Sequence, residues 1–166
     1  MSLPDDTATP GDFDFIIGDW NVQHRRLNSR LSGCTDWTGF TGLSSTRQVL
    51  GGFGNIEDNL LHFPDGDVRA VALRSFDRAS RTWSIWWLDG TNPHVLDTPV
   101  TGAFTGTVGE FYADDTLRGI PIRVRFRWQV NAGANPTWEQ AFSADAGATW
   151  EINWTMEFSR RGLPSL

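Results

Sequence analysis

No stretch of this chain keeps the 3.6-residue period of an amphipathic helix for as long as about ten residues, which rules out a helical core. Short runs of β-branched and aromatic residues recur instead, split by clusters of Gly, Pro, Asn and Asp. That is the pattern of a sandwich or a barrel. The clearest runs are 20–27, 35–43, 45–50, 56–63, 67–76, 82–88, 95–100, 102–113, 122–130, 137–143 and 149–159, with one helical turn expected around residues 12–16. Pro64-Asp65-Gly66 and the segment from Asp89 to Pro93 are strong breakers. Hairpins between sequence neighbours describe a meander, and about ten strands are expected to close rather than leave two adhesive edges. The expected fold is therefore all-β, a closed antiparallel up-and-down barrel of about ten strands, with a two-sheet sandwich as the alternative. Residues 1–11, polar and Pro-containing, are expected to form a flexible N-terminal arm ahead of a single barrel domain over 12–166.

Turn chemistry also predicts strand register. Asp145-Ala146-Gly147 suits a three-residue hairpin loop with Gly147 in the left-handed position. Counting back from it pairs Phe142 with Trp150, Gln140 with Ile152 and Trp138 with Trp154. Period-two alternation then puts Trp150, Ile152, Trp154, Met156 and Phe158 on one inner face, with Gln140 a polar group caught beside them. At the other breaker, a two-residue Asp65-Gly66 turn sets Glu57 directly opposite Arg74 as an inward ion pair. A three-residue Pro-Asp-Gly loop shifts the register by one, and the sequence leaves that choice open. Arg123, Arg125 and Arg127 alternate with Ile122, Val124, Phe126 and Trp128, so the arginines are expected to form a solvated outer stripe. Trp83, Ile85 and Trp87 share one face of their strand and Trp86 the other. An outward Trp86 is expected to be covered by a homodimer contact or a loop.

Composition narrows the function classes. The fourteen basic residues are all Arg, which excludes Schiff-base and Lys-general-base chemistry. A net charge of −6 argues against a nucleic-acid footprint. Cys34 is the single cysteine, so no internal disulfide forms and a reducing, cytoplasmic location fits. Neither a membrane-length apolar helix nor a signal-peptide pattern is visible. His24, His62 and His94 are isolated, so no metal or other cofactor is expected, haem included.

Gly18-Asp19-Trp20, opening the first strand after a short turn, resembles the G-x-W signature of the calycin superfamily. In calycins that Trp closes one barrel end, and an Arg late in the last strand packs across it. Arg160 is in the matching place, which implies structural roles for Gly18, Trp20 and Arg160. Phe15 to Trp20 with His24 to Leu27, Trp83-Ser84-Ile85-Trp86-Trp87, Trp138 to Ser143 and Thr149 to Trp154 are similar to blocks of a bacterial lipocalin-like family without an established activity. The resemblance implies a barrel with an interior pocket, not a reaction.

If Trp20 faces inward, alternation carries His24 and Arg26 to the same side, and buried polar groups of that kind need partners. Trp20, His24, Arg26, Arg74, Trp87, Trp138, Gln140 and Trp154 are accordingly the candidate ligand-binding residues. The ligand expected is a small amphipathic or aromatic metabolite, with a carboxylate, phosphate or carbonyl as its polar group. Two alternatives stand beside this. One is a cofactor-independent isomerase, cyclase or hydrolase with His24 as general acid or base. The other is an interaction domain whose aromatic interior is only a filled core.

Overall fold

Alternation becomes ten antiparallel strands in the computed structural model, which describes residues 8–162. They are β1 (Gly18–Leu27), β2 (Trp37–Val49), β3 (Gly54–Phe63), β4 (Gly66–Asp77), β5 (Thr82–Asp89), β6 (Val100–Thr105), β7 (Val108–Leu117), β8 (Ile120–Gln129), β9 (Thr137–Ser143) and β10 (Glu151–Arg160). Every strand pairs with its sequence neighbours, and β10 returns to β1, so the sheet is a closed barrel with no free edge. The expected turn at residues 12–16 is a one-turn 3-10 helix, Asp14–Ile16. Residues 1–7 of the expected arm lie outside the described residues. Among the described residues no helix is long and apolar enough to cross a membrane.

Three boundaries differ from the sequence reading. The runs 35–43 and 45–50 merge into one long strand, β2 (Trp37–Val49), because Ser44 points into the barrel and finds a hydrogen-bond partner there. Run 102–113 divides at Gly106, whose left-handed φ of 60° makes the turn between β6 and β7. Residues 95–99 contribute a single bridge, Leu88 to Leu96, rather than a strand.

The last hairpin corrects the predicted register. Phe142 pairs with Glu151 and Ala141 with Ile152, but Gln140 pairs with Trp154 and Trp138 with Met156, because a bulge intervenes between Ile152 and Trp154. Asn153 is the extra residue, fully buried. Before the bulge the faces are inverted relative to expectation. Ile152 is exposed, and Trp150 lies outside the barrel under the Arg125 guanidinium, 4.7 Å from its ring. After the bulge the expected face is restored, and Trp154, Met156 and Phe158 are buried. The loop itself is organised by side chains that turn statistics do not count: Asp145 accepts from Ser143 Oγ, Thr149 N and Thr149 Oγ1, at 2.5–2.8 Å. Those bonds push the Asp145 carboxyl down to about 2.

Up-and-down topology puts alternate connections at opposite ends. One end is capped. There Phe13 fills the barrel axis, edge-on to Trp83 at 4.9 Å and Phe104 at 5.1 Å, and Asp12 accepts the Trp83 Nε1–H. The cap is tied to the wall at the seam where β1 meets β10. Trp20 Nε1 donates to the Ile16 carbonyl at 2.8 Å, and the Arg160 guanidinium lies 3.9 Å above the Trp20 ring while donating to the carbonyls of Ile17 and Phe15. Gly18, at φ +119°, is required for two reasons. An L side chain is strained there, and its Cβ would fall on Arg160 Nη1. Replacing Gly18 with Ala is expected to cost about 2 kcal/mol of stability, read as a lowered urea midpoint; a variant as stable as the parent would refute this account of the seam.

Candidate functional site

The capped half of the barrel is full. Besides the aromatic residues it holds a polar cluster in which Arg74 donates to Asn55 Oδ1 at 2.8 Å and pairs with Glu57, and Ser44 donates to the other Glu57 oxygen at 3.1 Å. Neither register foreseen for this hairpin occurs. The turn uses Pro64 and Asp65, with Phe63 opposite Gly66, so Arg74 stands opposite Asn55 and reaches Glu57 diagonally. Arg74 also lies over Phe13 and Trp128, at 5.0 and 5.6 Å. It is committed to the closed end and does not line the cavity at the other end. Trp20 is likewise part of the seam and not of a binding surface.

Toward the other end the inner face opens into a cavity of about 860 Å³, within the size range of small-molecule sites. Its walls are Phe40, Leu61, Phe63, Trp87, Phe126, Trp138, Phe142, Trp154 and Met156, with Arg26 and Gln140 among them. The mouth is ringed by the loops that open-end topology requires, including residues 28–36 and 90–99. Of the residues expected to bind ligand, the structure thus brings together Arg26, Trp87, Trp138, Gln140 and Trp154. Trp154 is the hub, edge-on to both Trp87 and Trp138 at 6.0 and 5.9 Å. Gln140 donates to Asn153 Oδ1 at 2.8 Å, so the bulge residue fixes its orientation.

His24 sits behind this wall rather than on it. Its ring is stacked on Phe40, centroids 4.6 Å apart and planes within 6°, and is 1% exposed. Trp154 Nε1 donates to His24 Nδ1 at 3.1 Å, which places the imidazole proton on Nε2. Gly42 makes room for that edge, since a Cβ there would lie 2.8 Å from Nε2. Burial pushes the imidazole down to about 3. A neutral ring with one nitrogen occupied and no face on the cavity is not a general acid or base for a bound molecule. Its role is to hold Trp154 in place.

Arg26 is the group whose environment asks for a partner. Its guanidinium lies 4.9 Å over Trp154 and 5.7 Å from Phe63, and its Nε is buried without a hydrogen-bond acceptor. It forms no ion pair among the described residues. Burial, and then the neighbouring Arg30, lower it to about 10, with Asp89 opposing, so it stays charged at neutral pH. The sequence reading missed Arg30. It lies in an irregular loop, where no periodicity says which way a side chain points.

The arginines of β8 are outside, as alternation predicts. Arg123 covers Tyr112, Arg125 faces Glu139, and Arg127 reaches Glu110 and Glu139. Trp86 also points outward and is half-buried; Leu73 opposite it is 37% exposed, and Leu96 extends this apolar face beyond Leu88. Among the described residues no group of three or more His, Cys, Asp or Glu is arranged to hold a metal. Compared with known protein families and with curated proteins, the chain matches none of either.

The neutral, buried state of His24 has a measurable consequence. The unfolded chain takes up a proton on this residue below about pH 6.5, whereas the folded one does so only near 3. Between those limits the unfolded state binds more protons, so stability falls as pH falls, by at most about 1.4 kcal/mol per pH unit from this group. Urea titrations at pH 6.5 and 4.5 are expected to show that loss in the parent and a clearly smaller one in His24→Gln. Equal losses would mean that His24 is not buried neutral.

Proposed function

We propose that this chain is a calycin-like binding protein that holds a small aromatic or amphipathic anion in the open half of its barrel. The observation that carries the reading is Arg26, lying over Trp154 with a buried Nε that has no acceptor, at the wall of a cavity rich in aromatic rings. A guanidinium lying over an indole without an ion-pair partner retains N–H groups for the fork that carboxylates and phosphates accept. Trp87, Trp138 and Trp154 offer rings and edges to a planar body. The arrangement of Gly18, Trp20 and Arg160 supports the calycin comparison. The single cysteine and the absence of an internal disulfide support a cytoplasmic setting.

Binding without chemistry is favoured over catalysis because His24, the candidate general base, does not line the cavity, and the cavity carboxyl that burial, Asp115 and Asp89 raise, Asp97, lies out at the mouth. The test uses 1-anilinonaphthalene-8-sulfonate, a planar anion, followed by tryptophan quenching and native mass spectrometry of freshly purified protein. Saturable one-to-one binding is expected. Arg26→Gln should weaken it at least tenfold, in line with about 1.5–3 kcal/mol for a charged hydrogen bond, and the outward Arg123→Gln should leave it within twofold. Absence of saturable binding, or equal loss in both variants, would overturn the proposal.

The outward Trp86, Leu73 and Leu96 support homodimerisation as the quaternary arrangement. Sedimentation is expected to give about twice the 18.6 kDa chain mass, and a Trp86→Glu variant the mass of one chain. A monomeric parent would exclude this.

A further inference from the structure

The mouth of the cavity is electrostatically divided, and the division says more about the ligand than the aromatic walls do. On one side, Arg26 on β1 and Arg30 in the 28–36 loop face the opening, and Arg118 in the β7–β8 turn stands behind Arg30. Across the opening lie Asp89 and Asp97. Asp89 is already satisfied by Thr91, through its N–H and its hydroxyl at 2.8 and 2.7 Å. Asp67, also at the rim, is paired with His62 at 2.9 Å.

The arginines have no such settlement. Arg26 Nε and Arg30 Nη2 are both buried without an acceptor, and among the described residues neither guanidinium forms an ion pair. Burial lowers the proton affinity of both; Arg30 lowers that of Arg26 further and Arg118 that of Arg30, against the opposing pull of Asp89 and Glu151. Assembling like charges in a partly desolvated place is costly unless an anion joins them.

Nor is Arg30 at the mouth by accident of a loose loop. The 28–36 loop is fastened across the opening. Arg118 Nη2 donates to the Arg30 carbonyl at 2.7 Å, Glu151 accepts the Leu31 N–H at 2.7 Å, and Asn28 N donates to the Asp36 carbonyl at 2.9 Å. Leu31 and Arg118 hold left-handed backbone, at φ 52° and 51°, a conformation that costs a non-glycine residue energy and persists only where contacts enforce it. Leu31 itself packs against the core. Arg30 is therefore preorganised on the same side of the mouth as Arg26.

Building on the cavity as an anion site, we propose that the ligand carries a phosphate monoester, gripped jointly by Arg26 from the barrel wall and Arg30 from the tethered loop, with its aromatic body among Trp87, Trp138 and Trp154. A carboxylate has one charge and two oxygens, which a single guanidinium satisfies in a fork. A phosphate monoester has three terminal oxygens and close to two charges at neutral pH, enough for two guanidiniums at once. The acidic rim opposite orients such a ligand with its phosphate toward β1.

The experiment compares 1-naphthyl phosphate, 1-naphthoate and 2-naphthol on the full chain by calorimetry. We expect the phosphate to bind at least tenfold tighter than the carboxylate, and the neutral naphthol weakest. Arg30→Gln should remove the phosphate's advantage while leaving naphthoate within twofold; Arg26→Gln should weaken both anions. Naphthoate equal to or tighter than naphthyl phosphate, or an Arg30→Gln variant that weakens both alike, would overturn the phosphate assignment and leave the cavity reading standing. If none of the three binds, the cavity reading fails and takes the assignment with it. The comparison of anions on the parent protein decides the matter even if a variant does not fold.

Discussion

Everything in this barrel hangs on one seam, the pairing of β1 with β10, because a meander whose last strand fails to return to the first is an open sheet with two edges. The register there, Trp20 opposite Arg160, is enforced by a contact that no other pairing could make. The guanidinium covers the indole, its N–H groups are taken by carbonyls that precede β1, and Gly18 supplies the space. Cation and ring attract whether or not water is present, and the hydrogen bonds set direction. The same contact fixes the segment before β1, and with it Phe13, the plug of one end. Closing the sheet and capping it are thus a single event.

Once one end is plugged, the interior divides by side-chain size and polarity. The inner positions near the plug are filled by Phe13, Trp83, Phe111, Trp128 and Phe158, together with the Glu57–Arg74–Asn55 cluster. A buried ion pair of this kind adds little net stability against an apolar replacement, yet losing one partner leaves a charge stranded. Its value here is positional: Arg74 reaches across from β4 to β3 and spans Phe13 and Trp128, so the polar cluster ties plug and wall together. Toward the other end the strands carry residues that stand against the wall instead of meeting across the axis, and the cavity is what remains.

How much of this the sequence disclosed depends on whether a feature is local. Hairpin turns and period-two alternation are read within a few residues, and barrel closure, the inner face of β5 at Trp83, Ile85 and Trp87, and the outer stripe of Arg123, Arg125 and Arg127 followed from them. Register is not local in that sense. The Asp145–Gly147 turn looked like a three-residue hairpin, but Ser143 and Thr149 bind Asp145 and lengthen the loop, and Asn153 then inserts a bulge. Trp150 and Ile152 left the interior for that reason, while Trp154 kept its place because the bulge restores the face. The Pro64-Asp65 turn is a similar case, where the inward direction of Glu57 and Arg74 was legible and their pairing was not. His24 was correctly read as inward, but it lies behind the cavity wall and not on it. Alternation gives a side chain's direction but not its depth, and depth was decided by the Phe40 ring and the Trp154 donor.

Depth also separates the two cationic residues that alternation had treated alike. Arg74 and Arg26 both point into the barrel, both lie over aromatic rings, and both have a buried Nε without an acceptor. Arg74 is nonetheless neutralised, because Glu57 on the adjacent strand turns inward at reach. Arg26 has no ion-pair partner among the described residues: its neighbours across the sheet are Thr38 on β2 and Trp154 on β10, neither of which can carry a negative charge, and Asp89 acts on it without forming a salt bridge. A barrel that needed Arg26 only for stability would have gained more from an acid at either position, since a lone desolvated guanidinium is costlier than a paired one. The pairing pattern of β1 leaves that charge uncompensated within the sheet, at the level where the interior stops being filled, and this coincidence of free charge and free volume is the physical basis for reading the cavity as an anion site.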